Sequence, residues 1–272
     1  MSASSDHAPS NAGTRGAVVV TGASEGIGRA IAQRFIAHGH SALLVARNAD
    51  RLEEALAGMP RREGARALTL PLDVTAAGAA EEIDRHLAAH GLHAEIFINN
   101  AGCGAGGPLI EQGEETVERI VALNVAALTR LTRHHARAMA KRGHGTIINI
   151  GSVGGYVPGP NQAVYYASKA YVQSLSEALA SELASHGVHI AVVSPGPVRT
   201  GIHATMHATN AFYRLLMPSM SPERVAFSVY WAYRLRRRAV VPGVHYWLAS
   251  WVLRVLPRAL SVPLMGLLLK PR

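Results

Sequence analysis

The stretch GAVVVTGASEGIGRAIAQRFIAHG, residues 16–39, decides the fold. Its apolar run Ala17–Val20 predicts a buried strand, and the glycines that follow predict a tight turn. Beyond the turn, Ile27, Ile31 and Phe35 repeat with helical spacing, which predicts an amphipathic helix. The local order is therefore strand, glycine-rich turn and helix.

Outward from this stretch, strand and helix patterns alternate as far as residue 194. Helical patterns separate the apolar runs, and the longest extends from about Glu115 to Arg142. This alternation predicts an α/β fold, a Rossmann-like doubly wound parallel sheet with helices on both faces. The further strands are expected in SALLVAR (41–47), RALTLPLDV (66–74), AEIFINNAG (94–102), GTIINIGS (145–152) and VHIAVVSPG (188–196).

The chain shows no internal domain boundary, so we expect a single domain over residues 15–245. Residues 1–14 are small and polar without an apolar run, which predicts a disordered tail rather than a secretory signal. Residues 201–220 follow a strand end and are rich in large apolar side chains, which is typical of a lid over a substrate. Residues 246–272 form an apolar and basic C-terminal extension.

Composition limits the classes of function. The 272 residues are 49% hydrophobic, which allows a substantial core, and the formal charge is +9 with histidine neutral. This charge suits nucleic acid, an anionic membrane, a phosphorylated ligand or simply a basic surface. The single cysteine, Cys103, excludes an intrachain disulfide and a cysteine zinc cluster. The histidines lack ligand spacing, so we expect no metal site.

The glycine turn indicates a ligand. Gly22, Gly26 and Gly28 stand where backbone can approach a diphosphate closely, ahead of a helix N-terminus aimed at it. The second strand ends at Ala46 and Arg47, where a carboxylate would hold the 2′-hydroxyl of an adenine ribose. Arginine instead suits a 2′-phosphate, which favours NADPH over NADH.

The segment AVYYASKAYV, residues 163–172, carries two adjacent tyrosines and a lysine. Residues four apart share a helix face, so Tyr165 and Lys169 can address one spot. Tyr166 points about 100° away by the helical repeat. We therefore expect Tyr166 to pack or to border the pocket.

Taken together, these pieces make the chain similar to the short-chain dehydrogenase/reductase family, classical type. The resemblance covers about residues 15–200, with a continuation to 243, and the pieces occur in the family's order. The matching pieces are TGASEGIG (21–28), LDV (72–74), NNAG (99–102), Asn124, Ser152, YYASK (165–169) and SPGPVRT (194–200).

The resemblance implies a catalytic set. The family pattern is Tyr-x-x-x-Lys with a serine thirteen residues earlier, which selects Tyr165, Lys169 and Ser152. Tyr165 would be the acid in carbonyl reduction and the base in alcohol oxidation, with its pKa lowered by Lys169. Lys169 would also hold the nicotinamide ribose, and Ser152 would hydrogen-bond the substrate oxygen. Asn124 would help to bind a water that relays protons from Lys169.

It also implies the residues that hold the cofactor. Asp73 and Val74 would meet the adenine, and the segment after the sixth strand would reach the nicotinamide, with Thr200 near its carboxamide. The full expected set is Gly22, Ser24, Gly26, Ile27, Gly28, Arg47, Asp73, Val74, Asn100, Ala101, Gly102, Tyr165, Lys169, Pro195, Gly196, Val198 and Thr200.

The predicted function is therefore hydride transfer between NADP(H) and a carbonyl or secondary alcohol. The apolar lid favours an apolar substrate such as a steroid, an acyl chain or a lipid-like ketone. The alternative is a catalytically silent NADP(H)-binding regulator or scaffold, which the intact Ser152, Tyr165 and Lys169 argue against. An extended-type epimerase or dehydratase fits the glycine spacing less well.

Partners and location follow from the same features. We expect a homodimer or homotetramer from the resemblance, and no nucleic-acid partner because aromatic residues do not interleave with the basic ones. The tail from Trp247 is too interrupted by proline and arginine for a spanning helix. It could contact a membrane, the protein body or a second subunit. A cytoplasmic location is expected, with membrane association as one of these three alternatives for the tail.

Overall fold

The structure is a computed structural model that describes residues 14–200 and 218–270. It therefore describes only Thr14 of the expected tail, and residues 201–217 of the expected lid lie outside it. Nothing in it bears on those segments.

Seven parallel strands form one sheet in the order β3-β2-β1-β4-β5-β6-β7. The order reverses direction between β1 and β4, which creates a crevice at the carboxyl ends of the strands. The strands are β1 (Arg15–Thr21), β2 (Ser41–Ala46), β3 (Ala67–Pro71), β4 (Leu92–Asn99), β5 (Gly145–Ile150), β6 (Val188–Val193) and β7 (Ala239–Val240).

Helices cover both faces of the sheet, and a buried apolar cluster lies under each layer. This confirms the predicted α/β, doubly wound parallel sheet. The helices are α1 (Gly26–Ala37), α2 (Ala49–Ala57), α3 (Ala79–Ala89), α4 (Glu114–Val121), α5 (Leu128–Arg142), α6 (Ala163–Glu182), α7 (Pro222–Arg234), α8 (Val244–Val255) and α9 (Arg258–Leu268).

The helix predicted from about Glu115 to Arg142 differs from a regular helix in its middle. Between α4 and α5, residues Ala122–Ala127 form a π-helical segment. A π turn accommodates an extra residue, so it rotates the side chains on either side relative to one another. Asn124 lies inside this segment and is 1% exposed.

The C-terminal part folds back onto the domain. Helix α7 begins at Ser221, whose hydroxyl accepts a hydrogen bond from the Arg224 amide, with Pro222 in the first turn. Helix α8 begins at Val244, and the Tyr246 side chain is fully buried in the core cluster that includes α1. Among the described residues, no helix is both long and apolar enough to cross a bilayer.

Candidate functional site

The described residues enclose a cleft of about 1330 Å³ at the carboxyl end of the sheet. A pocket for a single drug-sized ligand measures roughly 300–1,000 Å³, so this cleft has room for a dinucleotide and a substrate together. Of the predicted site residues, all but Gly28 and Asn124 line it. Gly28 and Asn124 are buried behind its walls.

Hydrogen bonds from the residues just after β4 hold the glycine turn in place. The Asn100 side-chain amide donates to the carbonyl oxygens of Thr21 at 2.9 Å and Gly22 at 3.1 Å. The Thr21 hydroxyl in turn accepts from the backbone amides of Asn100 and Ala101, both at 3.0 Å. These bonds join the ends of β1 and β4 and fix the height of the turn above the sheet.

The glycine turn has no room for side chains at two of its positions. Gly22 and Gly26 have φ values of 65° and 55°, which side-chain-bearing residues rarely adopt. A Cβ on Gly26 would lie 3.1 Å from the Thr200 methyl group, so Thr200 closes the turn from the other side of the cleft. Only glycines allow the two walls to approach this closely.

The turn fits a diphosphate. Helix α1 starts at Gly26 with no side-chain cap on its first amides and no acidic residue in its first turn. Uncapped amides and the positive end of the helix dipole are the groups that bind phosphate oxygens. The turn residues would thus hold the diphosphate of a nicotinamide dinucleotide, which supplies hydride chemistry when bound.

The far end of the cleft contains two arginines, of which the sequence predicted one. Arg47, just after β2, is exposed beside the cleft as expected. Arg51, on the first turn of α2, also lines it and forms an ion pair with Glu25 at 3.4 Å. Because Glu25 and Arg51 come from separate segments, their spacing gives no sequence signal. Arg29 on α1 is directed at Gly58, just after α2, and does not line the cleft.

Asp73 and Val74 line the same end of the cleft. The Asp73 carboxylate accepts from the Thr75 hydroxyl at 2.7 Å and from its backbone amide at 2.8 Å. These hydrogen bonds lower the pKa of Asp73 below its ordinary value, so it stays ionised. The carboxylate therefore fixes the loop after β3.

Ser152, Tyr165 and Lys169 converge at the other end of the cleft. Ser152 follows β5, its hydroxyl accepts from the Gly154 amide at 3.1 Å, and it shares a hydrogen bond with Tyr165. The Lys169 ammonium donates to the Ile150 carbonyl oxygen at 2.9 Å and lies 5.8 Å from the centre of the Tyr165 ring. Helix α6 thus presents both side chains to one spot.

The pKa of Tyr165 differs from the expected lowering. Burial raises this pKa, and the hydrogen bond with Ser152 only partly offsets the rise. Burial also lowers the pKa of Lys169 to about 8. Burial disfavours both charged forms, and the ammonium is directed at a carbonyl and the ring rather than at the phenol oxygen. In this structure Tyr165 is therefore a neutral phenol, the form that can donate a proton.

Asn124 connects the catalytic helix to the loop after β4. Its amide nitrogen donates to the Cys103 carbonyl at 2.8 Å and to the Ser168 hydroxyl at 3.0 Å, and its oxygen accepts from the Cys103 amide at 3.0 Å. The Ser168 hydroxyl donates to the Tyr165 carbonyl at 2.7 Å. With its side chain engaged on both sides, Asn124 acts here as a positioning residue for α6; the relay water stays a prediction.

Tyr166 packs away from the reacting spot. Its ring fills the space above Gly154 and Gly159, where any Cβ would crowd or overlap it. It is 7% exposed and also borders the cleft.

The nearby Cys103 thiol is half-buried, and burial raises its pKa, so the uncharged thiol prevails at neutral pH.

Other lining residues had no sequence prediction. Helix α4 contributes Glu115, Glu118 and Arg119 to the wall near Cys103, and Gln162 precedes α6. Their place in the cleft wall depends on how α4 packs in three dimensions. A charge on an exposed helix carries no functional pattern of its own, so sequence reasoning had no signal for them.

A parallel sheet with an uncapped glycine turn and a Ser–Tyr–Lys set at its carboxyl edge defines a nicotinamide-dependent oxidoreductase. The chain belongs to the short-chain dehydrogenase family, whose model, described as short chain dehydrogenase, matches residues 16–211. The predicted resemblance is thereby confirmed.

Individual relatives agree with this placement. The chain is 34% identical over 216 residues to a fatty acyl-CoA reductase of Acinetobacter baylyi, covering 79% of this chain and 71% of the relative. It is 36% identical over 182 residues to the 3-oxoacyl-[acyl-carrier-protein] reductase FabG of Escherichia coli, covering 67% and 73%. A short-chain dehydrogenase from Sphingobium yanoikuyae, solved in complex with NADPH, superposes with a TM-score of 0.76 at 32% identity, covering 94% and 96%.

One histidine cluster lies outside the cleft. Asp84, His134 and His135 place their ligand-type atoms within 4.8 Å of one another. The two histidines are neighbours on α5, and Asp84 on α3 reaches both, at 2.7 Å and 3.6 Å. His134 bonds to Asp84 at 2.7 Å, and His135 stacks on Phe97 with ring centroids 3.9 Å apart. These contacts tie α3 and α5 to β4.

His135 makes the stability of the protein depend on pH. Burial lowers its folded-state pKa to about 3, whereas the unfolded value is about 6.5. The folded state thus binds fewer protons than the unfolded state. The free energy of unfolding is therefore not reduced by His135 above about pH 6.5, and it falls as the pH drops from there toward 3. We expect this residue alone to cost about 2 kcal/mol of unfolding free energy between pH 7 and pH 5.

Urea unfolding at the two pH values checks this expectation. His135→Phe should keep the stack on Phe97 and show a smaller loss of stability on acidification than the wild-type protein. The control is the same substitution at the exposed His186, which should leave the pH dependence unchanged. An equal pH dependence in all three proteins would contradict the assignment to His135.

Proposed function

We propose that the protein is an NADP(H)-dependent carbonyl reductase, or a secondary alcohol dehydrogenase in reverse, acting on an apolar substrate. The observation that carries the proposal is the convergence of Ser152, Tyr165 and Lys169 beside a cleft that accommodates a dinucleotide. Tyr165 donates the proton that the reduced carbonyl oxygen needs, and Ser152 hydrogen-bonds that oxygen. The hydrogen bond from Lys169 to the Ile150 carbonyl oxygen holds the lysine side chain in position beside Tyr165.

The substrate class draws on two further supports. Two relatives are named as reductases of acyl groups, a fatty acyl-CoA reductase and a 3-oxoacyl-[acyl-carrier-protein] reductase. An apolar cluster of residues from α6, α8, α9 and the loop before α6 packs behind Tyr165 and Tyr166, which line the cleft. Acyl, steroid or lipid-like ketones match this chemistry. We also propose a homodimer or homotetramer, a cytoplasmic location and peripheral membrane contact through residues 247–272.

A ketone screen tests the activity. Purified protein should oxidise NADPH in the presence of ketones of increasing chain length, with kcat/KM rising as the apolar part grows. Absence of turnover with every ketone, despite NADPH binding, would contradict the proposal. A flat dependence on chain length would contradict the apolar substrate class alone.

The preference for NADPH rests on Arg47, with Arg51 as a second cation. We expect Arg47→Ala to weaken NADPH binding by about tenfold or more, with little change for NADH, because a charge-assisted contact to the 2′-phosphate is lost. Nicotinamide fluorescence titration gives both dissociation constants.

The matched control is Arg29→Ala, which removes a neighbouring guanidinium that does not line the cleft. It should leave both affinities unchanged. Equal weakening of both cofactors by Arg47→Ala, or tighter wild-type binding of NADH, would overturn the preference while leaving the oxidoreductase proposal intact.

A further inference from the structure

Helices α8 and α9 present large apolar side chains to the outside of the molecule. We call their outer side the C-terminal apolar face. Each of its members is between 44% and 73% exposed. They are Trp247, Leu248, Trp251, Val252, Val255, Leu260, Leu264 and Leu267.

Helices α8 and α9 bury small polar residues as well as Tyr246 and Met265, while large apolar side chains stay exposed. Their buried residues include the small polar Ser250 and Ser261, at 2% and 0% exposure. Trp247 and Trp251, one turn apart with ring centroids 6.2 Å from each other, are about half exposed. An exposed stripe of large apolar side chains is suited to a medium other than water.

The formal charges carried by α8 and α9 themselves are all positive. After Glu223 the sequence contains no further Asp or Glu. The cations of α8 and α9 are Arg254 and Arg258, and Lys270 follows α9. Arg254 is partly engaged, lying 4.1 Å from the Tyr156 ring centre and 3.8 Å from Glu177. A second copy placed on this face would bring like charges together, whereas anionic lipid headgroups complement them.

The helices are of a size to lie in a membrane surface rather than to cross it. They contain 12 and 11 residues, and Pro257 separates them. A spanning helix needs about 20 apolar residues. Tryptophans next to leucines and arginines are the composition of interfacial helices.

The inner side of α9 packs behind the wall of the cleft, against Tyr166, which lines it. Met265 and Leu269 pack on Val157 and Tyr166, with Tyr165 at the edge of the same cluster. The Asn161 amide donates to the Leu269 carbonyl at 3.4 Å. Helix α9 therefore lies directly behind Tyr165 and Tyr166, two residues of the cleft wall.

We propose that the C-terminal apolar face docks the protein on an anionic lipid bilayer, with the substrate end of the cleft held against the lipid. An apolar carbonyl compound dissolved in the bilayer then reaches Tyr165 without crossing water. The docking stands on the geometry alone, and the substrate route rests on the proposed function.

Vesicle flotation tests the docking. The wild-type chain should bind phosphatidylcholine vesicles containing about 30% phosphatidylglycerol, more weakly at high salt, and bind pure phosphatidylcholine poorly. Trp247→Ser with Trp251→Ser should reduce partitioning by about tenfold or more. The control, Phe227→Ser with Trp231→Ser, removes two equally exposed aromatics from α7 and should bind like the wild type.

Three outcomes overturn the docking. They are no flotation of the wild-type chain, equal loss in both double variants, and a change from a larger to a smaller oligomer in the Trp247/Trp251 variant with vesicle binding intact. The last would make the face a subunit interface. Unchanged NADPH affinity and thermal midpoint show that each variant is folded.

Activity separates the docking from the proposed function. The Trp247/Trp251 variant should keep wild-type turnover of a short, water-soluble ketone and lose turnover of a long-chain ketone supplied in anionic vesicles. Wild-type protein that floats but reduces no ketone would refute the proposed function and leave the docking standing.

Discussion

Tyr165→Phe is expected to lower kcat for carbonyl reduction by about 10²–10⁴-fold, with a far smaller effect on NADPH affinity. The substitution removes one hydroxyl, the proton donor at the end of the cleft, and keeps the ring that Lys169 faces. General acid catalysis contributes an effect of this size. Steady-state kinetics with a reducible ketone, together with NADPH titration, measure both quantities.

Tyr166→Phe is the matched control, one residue away on the same helix. The ring of Tyr166 is what fills the space above Gly154 and Gly159, and phenylalanine keeps that ring. We expect turnover of the same order as the wild type. If the two variants turned over the ketone at the same rate, the assignment of Tyr165 as the acid would be wrong and another group would have to supply the proton.

Gly28→Ala is expected to weaken NADPH binding by about 10²-fold and to lower the free energy of unfolding by about 1–3 kcal/mol. A Cβ at this position would overlap the Gly22 carbonyl and lie 2.6 Å from the Asn100 amide nitrogen. The Gly22 backbone and the Asn100 side-chain amide, which donates two hydrogen bonds, can move only at a cost in stability. The turn would therefore have to shift away from the sheet. The uncapped amides of α1 would then be misplaced for a diphosphate.

Gly113→Ala provides the comparison for that substitution. Gly113 precedes α4 with a φ of −62°, and a Cβ added there would have no neighbouring atom within 4 Å. Fluorescence titration and thermal melting should show near-wild-type values. Wild-type NADPH affinity in Gly28→Ala would show that the turn does not hold the cofactor's phosphates.

The sheet was predictable because each of the first six strands carries its own apolar run and helical patterns separate these runs. Tyr165 and Lys169 could be paired because one helix carries both, and helical spacing alone puts them on one face. The glycine turn was equally local, and its position after β1 defined the cleft.

What the sequence could not reveal depends on contacts between distant segments. The π turn around Asn124 interrupts a run with no proline or glycine, because tertiary hydrogen bonds to Cys103 and Ser168 hold it. The raised pKa of Tyr165 reflects burial, which no spacing encodes. Tyr246, at the start of the expected extension, is fully buried next to Gly196 because α8 folds back over the strand ends.

That return of the chain has a consequence for biosynthesis. The glycine turn and the first six strands leave the ribosome before any part of α8 or α9, and folding starts from the N-terminal side during synthesis. The side chains that pack behind two lining residues, Tyr246 beside Gly196 and Met265 beside Tyr166, arrive last. A nascent chain can thus form the glycine turn early, but the packing behind the other end of the cleft must wait for the final helices.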